Sequence, residues 1–210
     1  MKQGKFVVLE GIDGAGTTTQ VGRLQRYLEG RGIKSVITRE PSDGPIGTII
    51  RNALRGRIRL PDAAGGGELA KETIALLFAA DRVDHLRSEI LPALERGVWV
   101  LSDRYVDSSV AYQGTLIDID WVMKINRYAV RPDLTFFFDV DVDVALARID
   151  ATRVQKDIFE KRELLVRVAD GYRKLYAAQL PDVVHLDAGL PIERVYEDLT
   201  GAVSRLLLNS

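Results

Sequence analysis

The stretch "FVVLEGIDGAGTTTQ", residues 6–20, decides the fold. Phe6 to Leu9 form a short apolar run bounded by turn residues, which reads as a buried strand. Gly11, Gly14 and Gly16 follow, and a helical pattern then runs from Thr18 to Arg31, with Leu24, Tyr27 and Leu28 at helical spacing before Gly32. Glycines let successive backbone N–H groups turn inward, and a helix start adds the positive end of its dipole, so this order of elements is built for phosphate. Gly11, Ile12, Asp13, Gly14, Ala15, Gly16, Thr17, Thr18 and Thr19 form the expected cradle. The spacing fits G-x-x-x-x-G-K-[ST] with one exception: Thr17 stands where lysine is expected, while Thr18 keeps the hydroxyl that coordinates Mg²⁺. A threonine donates one neutral hydrogen bond and cannot neutralise charge that develops during phosphoryl transfer.

Outward from this loop, further strand-like runs lie at Ser35 to Thr38, Val98 to Leu101, Leu134 to Phe138 and, more weakly, Val183 to Leu186. Helical patterns alternate with them: Lys71 to Arg96, in which Pro92 predicts a kink, and Pro191 to Leu208. The alternation predicts an α/β fold with a five-stranded parallel sheet flanked by helices on both faces and ligands at the carboxyl ends of the strands. Gly56 to Gly67, with Pro61 and three successive glycines, reads as a surface loop. Arg148 to Arg173 is dense in both signs of charge and reads as a solvated helical pair with intrahelical ion pairs.

The chain of 210 residues suits a single domain spanning residues 1–210. Its net charge of −1 argues against a nucleic-acid surface, and its lack of cysteine excludes disulfides, thiolate metal sites and cysteine nucleophiles. No apolar stretch approaches the ~20 residues of a membrane span, and the amino terminus lacks a leader pattern; the expectation is a cytoplasmic protein that binds neither membrane nor nucleic acid.

Three more constellations bear on chemistry. "LSDRYVDSSVAYQG", residues 101–114, brings Asp103 and Arg104 to a strand's carboxyl end, where an acid can hold Mg²⁺ through water and a guanidinium can clamp phosphoryl oxygens; a strand-end ion pair is the alternative. In "LLFAADRVDH", residues 76–85, Phe78 and Arg82 share a helical face and suit a planar base, although Phe78 alone would suit a core; Asp81 and His85 read equally well as surface groups. In "TREPSDGPIGTIIRNAL", residues 38–54, Arg51 projects from a helix toward an acceptor phosphate or, equally, toward solvent.

In this order and spacing the four motifs resemble the thymidylate kinase family across nearly the whole chain, the pairing of "FAADR" with "DRYVDSSVAYQG" being the most specific mark. The resemblance implies a P-loop nucleoside monophosphate kinase that moves the γ-phosphate of ATP to dTMP with Mg²⁺, giving dTDP and ADP on the way to dTTP. It implies that Asp13 contacts the acceptor sugar, Phe78 stacks on thymine, Arg82 bonds the base, and Arg51 and Arg104 hold phosphoryl groups. It further implies that Ser108, Ser109, Tyr112 and Gln113 line the nucleoside pocket, with Tyr112 crowding the 2′ position, and that Thr18 and Asp103 serve the metal. Family members carry an arginine either in the phosphate loop or in a closing lid. Gly14 occupies the loop position, so the chain resembles the lid type, with the lid at about 148–162 and Arg153, with Arg148 or Lys156, over the transferring phosphate. A homodimer is also implied. Ser42-Asp43 departs from the two glycines common after "REP". The rival expectations are a kinase of another nucleotide or nucleoside, and a nucleotide-binding regulatory protein that has lost turnover.

Overall fold

The computed structural model describes residues 4–59, 67–149, 155–178 and 180–208, with the backbone alone for 155–161. In chain order the elements are β1 (Phe6–Gly11), α1 (Thr17–Glu29), β2 (Ser35–Arg39), α2 (Pro45–Leu54), α3 (Lys71–His85), a π-helical turn (Leu86–Ile90) and α4 (Leu91–Glu95). They continue through β3 (Trp99–Asp103), α5 (Val106–Gln113), α6 (Ile119–Ile125), β4 (Leu134–Asp139), α7 (Val142–Ile149), α8 (Gln155–Leu175), β5 (Val183–Asp187) and α9 (Ile192–Leu208). All strand pairings are parallel in the order β2-β3-β1-β4-β5, which puts β1 at the centre. Every residue of β1 is buried, as a strand covered on both faces must be.

Two layers of apolar side chains cover the sheet. Val7, Leu9, Leu24, Leu101, Phe136, Phe138 and Leu199 belong to the larger cluster, and Phe6, Val8, Ile90, Val100 and Tyr105 to the smaller one. The charged stretch after Arg148 departs from its solvated reading. Leu165, Val168, Ala169 and Tyr172 of α8 are buried at helical spacing and pack on the sheet. Its ion pairs also reach outward: Arg162 binds Asp143 of α7, and Arg173 binds Asp139 at the end of β4 as well as its own neighbour Asp170. The break near Pro92 takes the form of the π-helical turn just before it, which accommodates a residue with no N–H and a bulky ring. Residues 60–66 of the glycine-rich loop lie outside the described residues. Among the described residues no helix is long and apolar enough to cross a membrane.

Candidate active site

β1 ends at the loop that feeds α1, and the open N–H groups of the first turn of α1 face a cavity of about 650 Å³. Residues 12–19 line this cavity with Asp103, Arg104 and Arg148. Two loop glycines occupy left-handed backbone, Gly14 at φ 84° and Gly16 at φ 98°. A Cβ on Gly14 would meet the carbonyl oxygen of Ala145 at 2.4 Å, so no side chain fits there without moving α7. Thr17 is buried. Thr18 Oγ1 donates to Asp103 Oδ2 at 2.5 Å, while Asp103 Oδ1 is buried with no protein partner among the described residues.

A second cavity, of about 310 Å³, opens on the other side of Asp13 and Arg104, which line both. Its walls include Pro41, Phe78, Arg82, Ser108, Ser109, Tyr112 and Gln113. Arg104 Nη2 donates to Asp13 Oδ1 at 2.8 Å and to the Tyr112 hydroxyl at 3.4 Å, and its Nη1 reaches Ser108 Oγ at 3.2 Å. The Tyr112 hydroxyl also accepts from the Asp13 N–H at 3.1 Å. Burial works against the Arg104 charge, but Tyr112, Tyr172, Asp13 and Glu10 outweigh it and hold the guanidinium pKa above its usual value. At φ 75°, Arg104 is the one non-glycine residue at positive φ among the described residues, a strain of about 1–3 kcal/mol that gathers at functional sites.

Arg82 is buried at the back of this cavity. Its Nε donates to Glu40 at 2.8 Å, its Nη2 to the Tyr105 carbonyl at 3.2 Å and to Ser109 Oγ at 3.0 Å, and its Nη1 to Asn126. Four of the five N–H groups of a guanidinium are thereby engaged. Asp81 and His85 are buried too, contrary to the surface reading. α3 packs on α2, and its inner face meets the end of β2 and the chain after it: Ser42 donates through N and Oγ to Asp81, each at 2.7 Å, while His85 contacts Thr38 and Glu40. Ser42 therefore anchors the loop in which it departs from the glycine pair.

The expected residues do not all converge. Arg51 lines neither cavity; its Nη1 donates to the carbonyls of Pro41 and Ser42, and its Nη2 to Thr48 Oγ1. Arg153 lies outside the described residues, as does the side chain of Lys156. Arg148 stands at the first, larger cavity and donates to the carbonyls of Gly14 and Ala188, at 3.4 and 3.0 Å.

Glu10, Glu40 and Tyr172 escaped the sequence reading. Glu10 is fully buried in β1 and accepts from the Tyr105 N–H at 2.8 Å, Ser108 Oγ at 2.6 Å and the Tyr172 hydroxyl at 2.8 Å. Burial and the nearby Asp107 push its carboxyl up to about 7, against the pull of Ser108, Tyr172 and Arg104. The signal was present: one acid closing the apolar run of a strand, directly before the glycine loop, has no route to water if that strand is central.

The description "Thymidylate kinase" belongs to a family model that matches residues 9–199. A probable thymidylate kinase of Thermococcus gammatolerans is 40% identical over 209 residues, covering 98% of this chain and 99% of that protein. A thymidylate kinase of Alkalilimnicola ehrlichii is 40% identical over 223 residues, covering 99% of this chain and 97% of its own. The family match thus begins within β1 and extends into α9, taking in both cavities and the arginine between them, and the chain belongs to the thymidylate kinase family.

Proposed function

We propose that this chain is a single-domain dTMP kinase, transferring the γ-phosphate of ATP to dTMP to give dTDP and ADP. The observation that carries the reading is the pair of cavities that meet at Asp13 and Arg104, one floored by the phosphate loop and one walled by Phe78 and Arg82. Such an arrangement lets a donor phosphate and an acceptor phosphate approach in line from opposite sides of one guanidinium. The 5′-phosphate of dTMP is its own nucleophile, so positioning and charge stabilisation suffice.

In the acceptor cavity Phe78 stacks on thymine, and the remaining N–H of Arg82 donates to a base oxygen. The buried Oε1 of Gln113, with no partner among the described residues, suits a base N–H. Ser108 and Ser109 complete the wall, Tyr112 crowds the 2′ position, and Asp13 takes the sugar hydroxyl. Arg51 reaches the acceptor phosphate by leaving the carbonyls it now holds. Mg²⁺ suits the unpartnered Oδ1 of Asp103 beside the Thr18 hydroxyl, since this ion takes few protein ligands and relies on phosphates and water. When bound, it neutralises charge on the phosphates.

Thr17 leaves the loop one positive charge short, and the reading assigns that charge to Arg104 and to a lid at about 148–162, with Arg153 at the transferring phosphate and Arg148 already beside Gly14. A cytoplasmic homodimer completes the proposal. Leu76 of α3 and Ile119 and Met123 of α6, two helices in mutual contact, expose apolar side chains that suit an interface between copies. The test is chromatographic product analysis after incubation with ATP and Mg²⁺ and, separately, dTMP, dUMP, dCMP or thymidine. The expected result is dTDP from dTMP in clear preference to the other three products; preference for another acceptor would replace dTMP in the proposal.

A further inference from the structure

We infer that Glu10 is a positioning residue for the acceptor site: from the central strand it caps α5 and sets the hydroxyl polarity that holds Arg104. The inference rests on the proposed acceptor cavity and adds to it a residue outside its lining.

α5 carries Ser108, Ser109, Tyr112 and Gln113, four residues of the cavity wall, yet its own N-cap residue, Tyr105, supplies no side-chain cap. Glu10 Oε1 fills that role from β1, accepting from the Tyr105 N–H at 2.8 Å and the Ser108 N–H at 3.3 Å. A carboxylate there meets two open donors and the positive end of the helix dipole. Because β1 is held by β3 and β4 on its two sides, the cap is fixed to the most rigid part of the molecule.

Oε2 does different work. It accepts from Ser108 Oγ at 2.6 Å and from the Tyr172 hydroxyl of α8 at 2.8 Å, and these two hydroxyls lie 2.7 Å apart. An ionised carboxylate can only accept, so it fixes both protons toward itself. Ser108 Oγ is then left with lone pairs, one of which accepts from Arg104 Nη1 at 3.2 Å. Replacing the carboxylate by an amide of the same shape presents donors to the two hydroxyls, turns their protons outward and leaves Ser108 Oγ one lone pair, for which the Tyr172 hydroxyl then competes with Arg104. The other ionisable groups acting on Glu10 are Asp107 of α5 and Arg104 ahead of it.

Isothermal titration calorimetry on the full chain tests this, at pH 8 where the carboxyl is ionised. Separate titrations with dTMP and with ATP plus Mg²⁺ are run on the native chain, Glu10→Gln and Glu10→Ala. Glu10→Gln keeps the cap to the two N–H groups and loses the polarity, so dTMP affinity should fall about 3- to 10-fold with ATP within about twofold. Glu10→Ala loses both and should weaken dTMP further, by about 30-fold. If Glu10→Ala does not fold, Glu10→Gln alone decides. A Glu10→Gln chain that binds dTMP as the native chain does, or loses dTMP and ATP affinity equally, overturns the inference. A native chain that binds ATP and not dTMP overturns the acceptor reading, and the inference with it.

Discussion

At Thr17 the phosphate loop gives up a full positive charge, and at Gly14 there is no room to restore it, because any side chain there collides with the Ala145 carbonyl. In the proposed kinase the charge then comes from outside the loop, where Arg104 and Arg148 stand at the cavity. Glu10 is the opposite case, a charge that the fold keeps at a cost. Its carboxyl is raised from 4.5 to about 7, burial first and Asp107 second. Between those values the folded chain binds the proton more tightly than the unfolded chain, so stability from this group falls as pH rises through the window. Above pH 7 the full cost is on the order of 3 kcal/mol, roughly 6–12 °C in melting temperature for a chain of this length. Ser108, Tyr172 and Arg104 face the carboxylate and limit that cost; Asp107, itself raised by burial, adds to it with the same sign. Thermal melts at pH 5 and pH 8 should show a smaller difference in Glu10→Gln than in the native chain. An unchanged difference would mean that Glu10 does not titrate in this window.

Among the elements, those proposed to bind phosphate were the most legible in the sequence. A strand, a glycine loop and a helix in succession predict each other's positions, and Thr18 and Asp103 meet at the expected place because β1 and β3 are neighbours. The charged helix α8 was harder to read, since Leu165, Val168, Ala169 and Tyr172 are spaced among charges that dominate the composition, and burial depends on a face. Asp81, His85 and Glu40 were harder still. Each is polar, and nothing local says that α3 will press two of them against the chain after β2. Ser42 shows why: its partner lies 39 residues away. On α6 the difficulty runs the other way, because Ile119 and Met123 are apolar at helical spacing and yet remain exposed. If they meet a second copy of the chain, sedimentation velocity should show a dimer that shifts toward monomer in Met123→Glu. A monomeric native chain would remove the dimer from the proposal.

Across the whole molecule the sheet brings the ends of β1, β3 and β4 to one edge, and Thr18, Asp103 and Arg104, three of the groups proposed to act on phosphate or its metal, stand on or beside that edge. Asp13 and Arg104 join the proposed donor and acceptor cavities there, and α8 reaches the same point through Tyr172 and Glu10. The segment between α7 and α8 holds Arg153, so the proposed lid is tethered at both ends to helices that already touch the site. In the proposed function such a chain transfers phosphate without the loop lysine. This is tested by steady-state ADP release from ATP and Mg²⁺, with and without dTMP, for the native chain, Thr17→Lys and Arg153→Ala. The expected result is dTMP-dependent release by the native chain and a fall of about 10³-fold or more in Arg153→Ala, the scale of an arginine finger. A native chain that binds both nucleotides and releases no ADP, while Thr17→Lys turns over, would contradict it.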